Sequence, residues 1–371
     1  MNKLFFHLIF PLLICLSLAS ETAAQGVQVV LPMGVECRKV LFTPDGEYVG
    51  VSRKDQITLW LSGSRGKYLE INTEFSKVNS FSYTPDSKYI LYTGETNPLK
   101  RFFNKRPEFA PTESHNIVMR DLETLSKVLE FKGHTNDVTA IFVLWKGEIM
   151  ASGGKDKTVR LWDIKTGKQL KVFKDHDQKV LEVAISPDSK YLVSAGADRK
   201  IVVRKLPEGD LLTIIPNHTD WVRALGFSPD GKLLATGSDD GTVLLVKFNI
   251  GNLEWQSMEG GHHTGWVYDL SFSPDGRFLA SCSQDESFII WDVENKVFKS
   301  RNVIKNGGSI TSIHFDPKGK YLATTPFMSE DMYLWEVSNL DISPPIHYRD
   351  TTDVNPPMIT IISPVVRGEG C

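Results

Sequence analysis

The adjacent pair His262 and His263 is the first place in this 371-residue chain to look for a metal. His262 has no second ligand at the spacing a zinc site needs, His263 is accounted for otherwise below, and HExxH, paired CxxC and glycine-rich phosphate loops are all missing. The recurring Asp residues fall in Pro-Asp-Gly-type turns, where turn hydrogen bonds account for them. Cys37 and Cys282 lie in separate segments and read as small buried apolar groups, neither nucleophiles nor disulfide partners. These residues lead to no catalytic, metal or cofactor site, and the chain is expected not to be an enzyme.

Binding chemistry is easier to find. Lys100, Arg101, Phe102, Phe103, Lys105 and Arg106 stand close together, with Phe109 just after them. Bases interleaved with aromatics suit an acidic peptide, a phosphate-bearing glycan or a partner's loop. The same residues also suit a solvated loop whose Phe side chains pack on the scaffold. Trp221 and Trp266 are natural hot spots if exposed and simple packing if covered. With 42 Lys+Arg against 45 Asp+Glu the net charge is −3, so nucleic acid is not an expected partner. A protein or peptide is.

Residues 1–24 read as an export signal. Lys3 supplies the positive start, the run from Leu4 to Leu18 is apolar apart from His7, Pro11 and Ser17, and small residues follow at Ala19, Ser20, Ala23 and Ala24. The run is short for a bilayer span, which favours a cleaved signal over an anchor. Cleavage fits before Gln25 or near Ala19 and Ser20. Cys15 is a poor lipidation site because the bulky Ile14 precedes it. The mature chain is expected in the periplasm, on the cell surface or in the medium, without stable membrane insertion.

The elements that would position these groups come from a repeat. FTPDGEYVGV (42–51), YTPDSKYILY (83–92), ISPDSKYLVS (185–194), FSPDGKLLAT (227–236), FSPDGRFLAS (272–281) and FDPKGKYLAT (315–324) are versions of one phrase, and residues 138–154 align with it by pattern. Their anchors Phe42, Tyr83, Val143, Ile185, Phe227, Phe272 and Phe315 recur about every 40–45 residues, with one interval near 60. Alternating apolar residues lead into a tight turn and a second strand, then an acidic turn and a third, then a weaker fourth. The period predicts an all-β, seven-bladed propeller of four-stranded blades over residues 25–340. The long interval places an insertion at 96–115, between the second and third strands of blade two.

Third strands ending LWLS (59–62), VRLWD (159–163), FIIWD (288–292) and YLWEV (333–337), with turns GHTNDV (133–138), NHTDWV (217–222) and GHHTGWV (261–267), resemble the WD-repeat propeller family, as an exported, bacterial-type member. The resemblance implies a buried His, Ser/Thr, Asp and Trp set in each blade. It assigns His134, Ser152, Asp156 and Trp162 to blade three, and His263, Ser281, Asp285 and Trp291 to blade six. Blade four keeps His176, Ser194 and Asp198 with Arg204 in the Trp position; blade five keeps His218, Thr236 and Asp240 with Val246 there. It also implies that the N-terminal strand completes the last blade, with 27–33 sealing against 332–338, and that the face carrying the insertion, Trp221 and Trp266 is the one used for partners.

After Leu340 the repeat stops. Residues 341–371 read as a Pro-rich linker followed by a strand-like phrase, Met358 to Pro364. That phrase looks like the start of an immunoglobulin-like module, as found after the propeller in some bacterial proteins with caspase-like protease domains. The expected function is an exported, non-catalytic interaction scaffold. The alternatives are the recognition portion of a larger enzyme, and a propeller enzyme or periplasmic accessory protein.

Overall fold

A computed structural model of the chain describes residues 29–30, 37–62, 67–95, 115–144, 148–216, 218–249, 252–258, 262–304, 308–327, 332–338 and 341–342. Every regular element among them is a β-strand. After β1 (Val29–Val30), blade one is β2 (Cys37–Phe42), β3 (Tyr48–Arg53), β4 (Gln56–Leu61) and β5 (Lys67–Asn72). Blade two is β6 (Lys77–Tyr83), β7 (Tyr89–Glu95), β8 (Ile117–Asp121) and β9 (Lys127–Phe131). Blade three is β10 (Val138–Val143), β11 (Ile149–Gly154), β12 (Val159–Asp163) and β13 (Gln169–Phe173). Blade four is β14 (Val180–Ile185), β15 (Tyr191–Gly196), β16 (Ile201–Lys205) and β17 (Asp210–Ile215). Blade five is β18 (Val222–Phe227), β19 (Leu233–Ser238), β20 (Val243–Asn249) and β21 (Asn252–Ser257). Blade six is β22 (Val267–Phe272), β23 (Phe278–Ser283), β24 (Ser287–Asp292) and β25 (Val297–Val303). Blade seven is β26 (Ile310–Phe315), β27 (Tyr321–Pro326) and β28 (Tyr333–Ser338), with β29 (Asp341–Ile342) after it. Each blade is an antiparallel meander, so the molecule is an all-β, seven-bladed propeller.

The phrase that marks each repeat builds its first hairpin. In blade five the Ser228 hydroxyl donates to Asp230 (2.7 Å), and the backbone N–H groups of Lys232 and Leu233 return to Asp230 and Ser228. Gly231 closes the turn at φ +70°, a conformation that costs glycine nothing.

A blade is apolar on both faces and cannot stand alone. The buried side chains fall into seven clusters, each shared by two neighbouring blades. The cluster that joins the last blade to the first holds Cys37, Val40, Phe42 and Trp60 against Ala323, Met332 and Leu334. The ring thus closes through its packing.

Closure at the rim differs in detail from the strand expected over 27–33. Val29 and Val30 pair with Leu334 and Tyr333 on the outer edge of β28. The other end of that edge is taken by β29, with Val337 opposite Ile342 and Ser338 opposite Asp341. Two short pieces share the position of a fourth strand, and pairing runs two residues beyond Leu340. The remainder of 27–33 lies outside the described residues, as do the leader 1–24 and the tail from 343 onward.

All seven inner strands carry a bulge near their start, between Cys37/Lys39, Val78/Ser80, Val138/Ala140, Val180/Glu182, Val222/Ala224, Val267/Asp269 and Ile310/Ser312. A bulge turns one extra side chain out of the ladder, here at one end of the axial channel. Asn79, Thr139 and Thr311 use it to join blades, donating to the carbonyls of Val138 (3.0 Å), Val180 (2.6 Å) and Cys37 (3.1 Å).

Candidate functional site

The His sets are polar relays buried inside the blades. In blade three the Trp162 indole N–H donates to Ser152 Oγ (2.8 Å), the Ser152 hydroxyl meets His134 Nε2 (2.7 Å), and His134 Nδ1 meets Asp156 (2.9 Å). Reading the ring as the Nδ1–H tautomer satisfies every group, with Ser152 donating to Nε2 and Nδ1–H donating to the carboxylate. Blade six repeats this with Trp291 to Ser281 (2.9 Å), His263 to Ser281 (2.8 Å) and His263 to Asp285 (3.0 Å). Burial holds His134 below the ordinary histidine value despite the nearby Asp156. Burial alone would raise Asp156, Asp240 and Asp285, but hydrogen bonds from their histidines and turn residues outweigh it and hold the carboxyls far below the usual range.

A Ser–His–Asp chain is also the arrangement of an acyl-transfer site. Here Ser152 and Ser281 are fully covered, and the indole N–H already occupies each hydroxyl oxygen. No substrate carbonyl can reach them, so the sets are architectural.

The other blades fill the Trp position differently. In blade four Arg204 is held by both carboxylate oxygens of Asp175 and stacks 4.4 Å from the Phe173 ring. His176, Ser194 and Asp198 remain linked beside it. In blade five Val246 is simply buried, and His218 keeps Thr236 (2.8 Å) and Asp240 (3.0 Å). Blade two carries a charged version that sequence reasoning missed. Arg120 donates to Tyr92 Oη (2.6 Å), Tyr92 donates to Glu74 (2.8 Å), and Arg120 also pairs with Glu74. In blade one Val51 stands in the serine register, and among the described residues the Trp60 indole N–H has no hydrogen-bond partner. In blade seven Trp335 finds Thr324 (3.0 Å).

The channel mouth is where the two candidate tryptophans meet. Trp221 and Trp266 each precede an inner strand, and the bulged residues that follow are Arg223 and Tyr268. Among the described residues Arg223 does not donate to a backbone carbonyl of the next blade, as Asn79, Thr139 and Thr311 do. Its guanidinium forms a fork with Asp239 and lies 5.0, 5.2 and 5.6 Å from the ring centres of Trp221, Trp266 and Tyr268. The Trp266 and Tyr268 rings meet edge-on at 6.3 Å, and Lys179 Nζ sits 4.1 Å from the centre of the Trp221 ring. Trp266 is 40% exposed, while Trp221 is half-buried. One side of the mouth, on blades two, three and seven, is given to inter-blade bonds; the other, on blades four to six, presents aromatic and cationic side chains.

A match to the family described as WD domain, G-beta repeat covers residues 125–163, 167–204, 209–246 and 256–292. Four stretches of the chain match that repeat, and together they cover less than half of it. Stretches of it are similar to the target of rapamycin complex subunit wat1 of Schizosaccharomyces pombe, 32% identical over 90 residues, 24% of this chain and 23% of that protein. They are also similar to Cell division cycle 20.1, cofactor of APC complex, of Arabidopsis thaliana, 27% identical over 125 residues, 33% of this chain and 23% of that protein. A third similarity is to a Tricorn protease homolog of Saccharolobus solfataricus, 26% identical over 111 residues, 30% of this chain and 10% of that protein. The chain thus spans under a quarter of the length of each.

The four matched stretches supply the inner three strands of blades three to six, the blades that hold a linked His, Ser/Thr and Asp. The histidine doublet divides: His263 is buried in its set, while His262 is exposed and its carbonyl accepts from Arg301. Cys37 and Cys282 are buried in different clusters, and burial pushes the Cys282 thiol well up. Lys100, Arg101, Phe102, Phe103, Lys105 and Arg106 lie outside the described residues. The ends flanking their segment are fastened on the mouth side, where Lys155 binds Glu95 (3.3 Å) and Asp137 (2.9 Å), and His115 Nδ1 lies 3.0 Å from Asp137.

Proposed function

We propose that this protein is an exported, non-catalytic scaffold that binds a protein partner at the channel mouth on blades four to six. The observation that carries the reading is the uneven mouth. Three bulged side chains join neighbouring blades, whereas Arg223 and Tyr268 build, with Trp221 and Trp266, an accessible aromatic and cationic surface of the kind that dominates binding energy. Two of the similar proteins are named for assemblies, one a complex subunit and one a cofactor of a complex, which agrees with a scaffold. Export rests on the sequence of residues 1–24.

The test is affinity capture from envelope extract with wild type and Trp266→Ala. Loss of the captured protein at unchanged melting temperature is expected. Capture that survives Trp266→Ala but fails when Lys100, Arg101, Lys105 and Arg106 become Ser moves the site to the insertion. Intact mass of the native protein checks export, with about 39 kDa expected after signal removal against 41.7 kDa for the full chain. The similarity to a Tricorn protease homolog favours a second reading, a recognition portion of a larger enzyme. A native mass far above the full chain is the result that would support it.

A further inference from the structure

The aromatic pocket at the mouth is filled from within. Three rings surround the Arg223 guanidinium, and Asp239 fixes that guanidinium through both oxygens. A partner's lysine or arginine would find the ring faces taken and a cation already among them. The group left without a counterpart is Lys179. Its ammonium lies over the Trp221 ring, and among the described residues no carboxylate comes within ion-pair distance of it. Lys155 nearby is different, being bound by Glu95 and Asp137. Burial, and then the positive charges of Arg223 and Lys155, hold Lys179 below the ordinary lysine value, with Asp239 alone opposing. The field at that ammonium favours an anion.

Resting on the docking face proposed above, we infer that the partner presents an acidic peptide segment, setting a side-chain carboxylate against Lys179 and an apolar neighbour against exposed Trp266. A carboxylate fits better than a phosphate ester. A single ammonium balances a single negative charge, whereas a phosphate ester carries close to two and is best held by an arginine fork. The fork at hand, Arg223, is bound to Asp239.

The test uses a random peptide library displayed on phage and selected on the full chain. The expected winners carry Asp or Glu beside an aromatic or aliphatic residue. They bind Lys179→Gln about tenfold more weakly than wild type and Lys179→Arg within about threefold, with binding weakened by salt. Melting curves of both variants should overlay wild type, since among the described residues the Lys179 ammonium makes no hydrogen bond or ion pair and lies over the Trp221 ring, while its backbone bond to Ala197 is untouched by the substitution. Basic or uncharged winners, no enrichment of acids over the unselected library, or equal binding to Lys179→Gln would each overturn the inference. Partner capture that depends on Trp266 but not on Lys179 would leave the docking face standing and remove only the carboxylate.

Discussion

Ser152 holds two neighbours at once, accepting from the Trp162 indole and linking to His134, whereas Ser194 serves His176 without an indole. Deleting either hydroxyl strands its buried partners, and the cost grows with their number. Ser152→Ala should cost about 2–3 kcal/mol and Ser194→Ala about 1–2 kcal/mol, compared by denaturant unfolding. Glu182, by the channel, allows a test of sign. Burial pushes its pKa up from 4.5 to about 7. The folded state therefore binds the proton more tightly than the unfolded chain, so this stability is present in full below the unfolded value and lost as pH rises through the folded one. Glu182→Gln, which cannot ionise, should be more stable than wild type at pH 8, by about 3 kcal/mol, and level with it near pH 4, read from paired melts. His134, Asp156 and Trp162 could be assigned from sequence because their spacing is fixed by one hairpin pair. The Asp175 partner of Arg204 and the Glu74–Tyr92–Arg120 network could not, since substituted residues leave no motif and only strand register brings them together.

At the scale of the element, strand number and order followed from the turn phrases, because each phrase builds a hairpin locally. The bulges did not follow. Alternation of apolar residues has no mark for an extra residue, so Trp221 and Trp266 were candidates while Arg223, Tyr268 and Lys179 were missed. A signal existed in hindsight: one residue past the apolar start, small hydrogen-bonding side chains at Asn79, Thr139 and Thr311 give way to Arg223 and Tyr268. Closure has both an inner and an outer part. Thr311→Val removes the bond to the Cys37 carbonyl and should cost about 1 kcal/mol. Removing residues up to 33 should lower the melting temperature further, by exposing the edge of β28. A truncated protein that melts like the intact one would take β1 out of closure.

At the scale of the molecule, stability resides in seven apolar clusters that each need two blades, so no blade keeps its core without its neighbours. The sequence repeats are also out of step with the blades. The first matched repeat, 125–163, begins with the outer strand of blade two and ends with the third strand of blade three. The edge of β28 has a mechanical consequence. Among the described residues the first strand, at Val29, and the last, at Ile342, both pair with the outer edge of β28. Tension applied between those points would load four residue pairs before any other: Val29 with Leu334, Val30 with Tyr333, Val337 with Ile342 and Ser338 with Asp341. Those contacts would peel away one after another at low force, acting as a fuse, while the mouth on blades four to six kept its shape.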